Sequence, residues 1–454
     1  MTLKLETLSI DEIVVLLDQQ QLTSEGLVNY YLNQIKQYDK KYNSVAIINE
    51  NAINDAQTLD LERKKGHKRS SLHGIPILIK DNIVTATMPT TANSMALHDL
   101  VGHTDAPLVQ QLKEKGVIIL GKTNLSEFAY FMSYDQMPSG YGSLHGQVVH
   151  PYDPRIDPLG SSTGSAVSVA ANLIHLSIGT ETNGSLMAPA LQCGIVAIKP
   201  SIGLVDGDLI IPISKRQDVA GPMGKTLSDC VYLLSLMSRN QVDYSSFLNK
   251  RTKHLSIGFI NYENSPYDDE ELEILKKAKE IYLSEGYQIK ELSFILEDLE
   301  NHLTLEYEFK NDLNHFLADK RISSSMKSLN QIIEFNLEDK KNRMKYGQSI
   351  LTSSQQKGSL MDYNYKALIE KQEKQLSKYQ NLLDDVDLII STRRTSYAPM
   401  LGLPSISIPA KPMLDLTPRS LIFVSRRFDE DKLIEISYLY EQKTNYRYQH
   451  IKKR

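Results

Sequence analysis

Residues 159–190 read LGSSTGSAVSVAANLIHLSIGTETNGSLMAPA and hold two glycine-framed turns that carry serine. Ser161 lies in the first turn, and Ser185 lies in the second, directly after Gly184. Glycine permits a sharp turn and the close approach of a substrate. A serine at the start of a helix lies beside unpaired N–H groups that bind negative charge. The stretch therefore indicates a hydrolase core, and the alternative is that both turns are ordinary helix entries with a capping serine.

Lys80 closes a short apolar strand, predicted over residues 75–79, within the segment LHGIPILIKDNI at 72–83. A lysine side chain is rarely buried without a specific role. If Lys80 is buried, the loss of hydration disfavours its charged form, lowers its pKa and makes it a base that can activate a serine hydroxyl. The alternative is a side chain that extends from the strand end into solvent.

Composition and charge describe an ordinary globular protein of 454 residues, of which 41% are hydrophobic and 23% are charged. A net charge of −4 gives no argument for a nucleic-acid or membrane partner. The two cysteines, Cys193 and Cys230, are too few for a disulfide framework, and no Cys/His cluster has the spacing of a metal site. The sequence lacks the pattern of a secretory signal and any apolar run of about 18 residues. We therefore expect a cytoplasmic protein without a membrane span or a bound metal.

Short apolar strands that alternate with helices predict an α/β protein with a buried sheet. The predicted strands are residues 75–79, 117–120, 174–178, 195–198, 209–211, 386–390, 406–408 and 421–424. The predicted helices occupy most of residues 9–65, then 105–115, 226–240, 268–286, much of 302–380, and a last segment capped by Asp429. Because apolar strands flank a polar helical segment, we expect one domain over 1–454. Its parts are N-terminal helices at 1–70, a catalytic core at 71–235, a peripheral, mostly helical subregion at 236–383, and a return to the core at 384–454.

The order and spacing of Lys80 and the two serine turns resemble the amidase signature family. The resemblance also covers GKTNLSEFA at 121–129, CGIVAIKPSIGLV at 193–205, QDVAGPMGKTLSD at 217–229 and GLPSISIPA at 402–410. The segments EYEFKNDLNHFLAD at 306–319 and SLNQIIEFN at 328–336 look like the peptide-amidase-like branch. The resemblance implies a central mixed, twisted β-sheet covered by helices on both faces.

The resemblance also implies a Ser–cis-Ser–Lys arrangement without a cofactor or a metal. Ser185 matches the nucleophile, Ser161 the bridging serine that follows a cis peptide bond, and Lys80 the terminal base. Ser162 is expected to hydrogen-bond Lys80. The expected oxyanion hole consists of backbone N–H groups, those of Thr182, Asn183, Gly184 and Ser185.

This chain departs from the family pattern around the expected substrate pocket. Met187 stands where many members have arginine, and Asn183 stands where the nearer branch commonly has aspartate. Thr163 replaces a smaller residue in the first serine turn. Arg393 and Arg394 replace a Pro-Thr strand end. They either line a pocket for an anionic substrate or form surface ion pairs.

The leading hypothesis is an amidohydrolase that cleaves a carboxamide C–N bond in a linear amide, such as a C-terminal peptide amide or a small carboxamide. One alternative is the glutaminase subunit of a tRNA-dependent amidotransferase, and another is a catalytically silent scaffold. We expect a monomer or homodimer that binds a small-molecule or peptide amide and neither nucleic acid nor membrane.

Overall fold

A computed structural model describes residues 5–252, 254–411 and 418–446 of the chain. Within these ranges the strands are β1 Val45–Ile48, β2 Pro76–Lys80, β3 Val101–Gly102, β4 Ile118–Thr123, β5 Tyr141–Gly142, β6 Gly146–Gln147, β7 Leu176–Glu181, β8 Val196–Lys199, β9 Val219–Gly224, β10 Ser256–Tyr262, β11 Gln288–Phe294, β12 Ile322–Ser323, β13 Leu388–Ser391, β14 Ser405–Pro409 and β15 Ser420–Ser425.

The helices of the same ranges are α1 Ile10–Asp18, α2 Ser24–Tyr42, α3 Ala52–Lys64, α4 Pro107–Glu114, α5 Thr163–Ala170, α6 Met187–Cys193, α7 Leu227–Met237, α8 Asp269–Ser284, α9 Asn301–Leu317, α10 Leu329–Glu338, α11 Lys340–Arg343, α12 Ser349–Gln356, α13 Tyr363–Asp385, α14 Tyr397–Met400 and α15 Glu430–Thr444. Capping boxes begin two of them, with Ser9 and Glu12 at α1 and Asp268 and Glu271 at α8. No helix in the described ranges is long and apolar enough to cross a membrane.

An 11-stranded sheet runs through the described molecule in the order β1-β4-β2-β7-β9-β8-β14-β15-β13-β10-β11. β2 pairs in parallel with β4 and β7, whereas β9 pairs antiparallel with β7 and β8. The sheet is therefore mixed, and the predicted α/β class is confirmed. The short strands form two separate pairs, β3 with β12 and β5 with β6.

The centre of the sheet is the core of the protein. Every residue of β2, β4, β7, β8 and β9 is buried. Helix α5 packs against β7, α7 against β8 and β9, and α15 against β14 and β15. Strands that are covered in this way favour apolar side chains, although β4 and β7 also contain buried polar residues such as Lys122 and Glu181.

An aromatic cluster fixes the segment that follows β13. The rings of Tyr379 and Tyr397 stack with centroids 5.0 Å apart. The ring of Phe294 meets Tyr379 edge-on at 5.3 Å and Tyr397 at 5.1 Å. Such ring pairs add stability beyond the area they bury. The cluster joins β11, α13 and α14, and it holds residues 391–400 against the sheet.

Several predicted elements were wrong in detail. Strand β1 interrupts the predicted helical region 9–65, and residues 209–211 lie outside any strand, although Ile210 forms an isolated bridge with Ile83. Strands β9, β10 and β11 were not predicted. The side chain of Asp429 makes no capping hydrogen bond at α15.

The strands β10 and β11 lie within the region predicted as peripheral and mostly helical, residues 236–383, and they belong to the main sheet. The helices α8 to α13 occupy most of the rest of that region. The division of the chain into four parts stays a prediction.

Candidate active site

Lys80 and Thr180 meet at the carboxyl ends of β2 and β7, two neighbouring strands in the interior of the main sheet. Ile79 of β2 pairs in parallel with Ile178 of β7, and the carboxyl ends of neighbouring parallel strands lie side by side. Lys80 ends β2 and is fully buried. Its Nζ donates to the hydroxyl of Thr180 at 2.9 Å and to the carbonyl oxygen of Thr180 at 3.2 Å.

The first serine turn brings two more hydroxyl groups to Lys80. Lys80 Nζ lies 2.8 Å from Ser161 Oγ and 3.0 Å from Ser162 Oγ. The peptide bond between Gly160 and Ser161 is cis. Ser162 Oγ donates to the carbonyl of Thr180 at 2.9 Å and accepts from its N–H at 3.1 Å. Ser162 therefore fastens the start of α5 to the end of β7.

Burial sets the protonation of Lys80. The loss of hydration lowers the pKa of Lys80 from 10.5 to about 7, while the charges of Asp218 and Glu181 act in the opposite direction. A lysine with this pKa is neutral in a large fraction of molecules near pH 7. It can therefore accept a proton from a hydroxyl that touches it.

The second serine turn connects β7 to α6 and lies beside the first. The N–H of Ser162 donates to the carbonyl of Ser185 at 3.2 Å. Gly184 has φ of 87°, a conformation that favours glycine. The carboxylate of Glu181 accepts from the N–H groups of Leu186 at 2.8 Å and Met187 at 3.1 Å.

The backbone N–H groups of residues 182–185 have no hydrogen-bond partner among the described residues. They come directly before the N–H groups that Glu181 occupies. Four donors in one turn are an arrangement that can bind the oxygen of a tetrahedral intermediate. Ser185, in the same turn, is half-buried and faces a cavity.

Asp218 also belongs to the site, and the sequence alone did not indicate its role. The hydroxyl of Thr182 donates to Asp218, which also accepts from the N–H groups of Ile213 at 2.8 Å and Ser214 at 2.9 Å. Burial raises the pKa of Asp218 to about 7. Its position within QDVAGPM was the available signal. Asp218 ties the turn at 182–185 to the loop at 213–218.

A cavity of about 320 Å³ opens in front of the second serine turn. The turn at 182–185 forms one part of its lining, and Arg394 adds a positive charge. Tyr130, Phe131 and Leu305 supply apolar surface. This combination of apolar lining and a few polar groups is typical of a small-molecule site.

Four of the residues that depart from the family pattern lie in three different environments. Arg394 lines this cavity, and Asn183 lines it while its side-chain amide donates to Ser396 Oγ at 3.0 Å. Met187 is buried and lines a smaller neighbouring cavity. Arg393 forms an ion pair with the buried Glu271 at 2.6 Å, so the ion-pair interpretation applies to Arg393, although the pair is only partly at the surface.

A mixed sheet that brings a buried lysine and two serine turns together at the ends of its strands is the architecture of a class of amide-cleaving hydrolases. Comparison with known proteins assigns the chain to the same class. The model of the Amidase family matches residues 26–424. The chain therefore belongs to the amidase signature family.

Individual relatives and a solved structure from this family are similar to the chain over nearly its whole length. It is 33% identical over 470 residues to a probable amidase of Arabidopsis thaliana, across 98% of this chain and 91% of the relative. The structure of a peptide amidase from Stenotrophomonas maltophilia superposes with a TM-score of 0.88 at 32% identity, over 97% of each chain. The A subunit of a glutamyl-tRNA(Gln) amidotransferase from Alkaliphilus metalliredigens is 27% identical over 97% of both chains.

Proposed function

We propose that this protein is an amidohydrolase that cleaves a carboxamide C–N bond through an acyl-enzyme on Ser185. The observation that carries the proposal is the fully buried Lys80, whose pKa is lowered to about 7 and whose Nζ lies 2.8 Å from Ser161 Oγ. A neutral amine in contact with one serine, beside a second serine turn that faces a cavity, is suited to move a proton between hydroxyls.

In the proposed acylation step, neutral Lys80 accepts a proton from Ser161, and Ser161 accepts the proton of Ser185. Ser185 Oγ attacks the amide carbonyl carbon, and the oxygen takes up the electron pair of the C=O bond. The N–H groups of residues 182–185 hold that oxyanion. The C–N bond then breaks, and the proton returns through Ser161 to the leaving nitrogen.

In the proposed deacylation step, water replaces Ser185 as the nucleophile. Water loses a proton to the same relay and attacks the ester carbonyl, and Ser185 leaves with that proton as the carboxylic acid forms. Ser162 keeps Lys80 in place through their hydrogen bond and takes no proton in either step, because its own hydroxyl proton is donated to the carbonyl of Thr180.

The similarity to a peptide amidase supports a linear amide as substrate, either a C-terminal peptide amide or a small carboxamide. The relationship to amidotransferase A subunits supports a second candidate, a glutaminase that passes ammonia to a partner. Ammonia release from amides by the isolated chain favours the first function. Strict dependence on glutamine and a partner subunit favours the second, and loss of both activities indicates a scaffold.

The test combines an amide panel with labelling by a fluorophosphonate probe. We expect label on Ser185, mapped by mass spectrometry, and loss of label and of amide cleavage by about 10³-fold or more in Ser185→Ala and Lys80→Ala. Ser139 also lines the cavity, so Ser139→Ala is the matched control and should keep its label. Label on a different serine, or full turnover by Ser185→Ala, contradicts the nucleophile assignment.

A further inference from the structure

We propose that Arg394 binds an anionic group of the substrate, so that the preferred substrate is an amide that carries a carboxylate. This inference rests on the proposed function of Ser185 and adds the chemical class of its substrate. It is carried by the position of Arg394 in the cavity, by the absence of a partner for its guanidinium among the described residues, and by the way its neighbour is anchored.

The guanidinium of Arg394 lines the cavity together with Ser185. Its side chain is exposed, and no residue of the described ranges forms a hydrogen bond or an ion pair with it. A guanidinium has five N–H donors in a planar fork that matches a carboxylate. A carboxylate from the substrate would satisfy two of these donors at once.

Arg393 shows the contrast between the two neighbouring arginines. Its guanidinium donates to both oxygens of Glu271, at 2.9 and 2.6 Å, and to the backbone oxygens of Ser265 at 2.9 Å and Pro266 at 2.8 Å. It also lies over the ring of Tyr267. These contacts hold residue 393 against the start of α8, and the next residue, Arg394, lines the cavity.

The guanidinium of Arg394 lies against the turn that contains the proposed nucleophile. A Cβ atom built on Gly184 would stand 2.6 Å from Nη1 of Arg394, which is closer than van der Waals contact allows. The positive φ of 87° favours glycine at 184, and the short distance shows that the guanidinium of Arg394 lies against this turn. The positive charge of Arg394 lies against Gly184, the residue before Ser185, and is within reach of a substrate whose carbonyl group is at that serine.

The rest of the cavity lining contains apolar residues and one acidic residue, Asp157. Tyr130, Phe131 and Leu305 present apolar surface that suits the carbon chain of an acyl group. Asp157 is an acidic residue in the same lining, and its carboxylate accepts from the N–H of Leu159 at 2.7 Å. A substrate carboxylate is attracted by Arg394 and repelled by Asp157, so the two residues have opposite expected effects on an anionic substrate.

The test uses two amides of the same shape, glutaramate and 5-methylhexanamide, in which a carboxylate replaces an isopropyl group. We expect the ratio of kcat/KM for glutaramate over 5-methylhexanamide to fall about 10- to 100-fold in Arg394→Gln, because one charge-assisted contact is lost. In Asp157→Asn, the matched charge-removing variant, the ratio should rise. A ratio that does not change in Arg394→Gln, or that falls equally in both variants, overturns the proposal.

A second measurement needs no turnover. Glutarate should slow the fluorophosphonate labelling of Ser185 in the wild-type protein, whereas pentane-1,5-diol should not, and Arg394→Gln should lose the protection by glutarate. Unchanged protection in Arg394→Gln, or no protection in the wild type, overturns the assignment of Arg394. Absence of any label on Ser185 contradicts the proposed function instead, so the two failures are distinguishable.

Discussion

The protonation of Lys80 should control the rate of acylation, and this predicts the pH dependence of the enzyme. Because the neutral amine is the proposed base, kcat/KM should rise about tenfold per pH unit below an apparent pKa of about 7 and level off above it. An amine with a pKa of 10.5 would be neutral in about one molecule in 3,000 at pH 7, whereas Lys80 is neutral in about half. Burial therefore provides about a thousandfold more active base.

The free-energy cost of charging the buried Lys80 follows from the same two pKa values. Lowering the pKa of Lys80 from 10.5 to about 7 corresponds to about 5 kcal/mol of disfavoured charge. The measurement is kcat/KM from pH 5 to 9.5 on a neutral amide, at constant ionic strength. A rate that falls as pH rises through 7, or that does not change over this range, would refute a neutral lysine base.

Asp218 is the necessary control, because burial also raises its pKa to about 7. The charge of Asp218 raises the pKa of Lys80. In Asp218→Asn the inflection should therefore persist and move to lower pH if it belongs to Lys80. If the inflection disappears in this variant, Asp218 is the titrating group and the assignment to Lys80 fails.

Two further predictions concern stability. Since the folded-state pKa of Lys80 lies below the unfolded value, the unfolded chain binds more protons between about pH 7 and 10.5, and stability increases with pH there. The stability of the wild type relative to Lys80→Met should rise by about 3 kcal/mol from pH 6 to pH 9.5, measured by denaturant unfolding, and a difference that does not vary with pH contradicts the shift. Glu271→Gln leaves the half-buried Arg393 without its carboxylate and should lower Tm by about 2 °C. The exposed pair of Glu370 with Lys374 is the control, since Glu370→Gln should leave Tm unchanged, and an equal loss in both variants would show that burial is irrelevant.

Several strands at the centre of the sheet could be predicted because each contains a short run of mostly apolar residues. β2, β4 and β7 belong to this group, and Lys80 was recognisable because it ends such a run. β9 was missed because VAGPMG contains two glycines and a proline, which signal a turn when the neighbouring strands are unknown. β11 was missed because it lies at the edge of the sheet, where most of its side chains are exposed.

The sequence predicted a set of site residues but not the hydrogen bonds between them. Lys80, Ser161 and Ser185 stood out because each breaks a pattern or follows a glycine. Thr180 and Asp218 did not, since a threonine within a strand and an aspartate before one are common. Their roles depend on contacts between distant segments, and spacing along the chain carries no information about which hydroxyl points at which carboxylate.

The ion pair of Arg393 with Glu271 has a consequence for how the selectivity of this protein can change. The groups proposed for bond cleavage all come from residues 80–185, while Arg394 arrives some 200 residues later on a segment held by its own ion pair. Arg394, which is proposed to select an anionic substrate, is therefore encoded apart from the proposed catalytic groups, whereas Asp157 is encoded among them. A new substrate preference can arise by replacing the segment after β13 while the base and the nucleophile stay untouched, which makes this segment a natural place to redesign the enzyme.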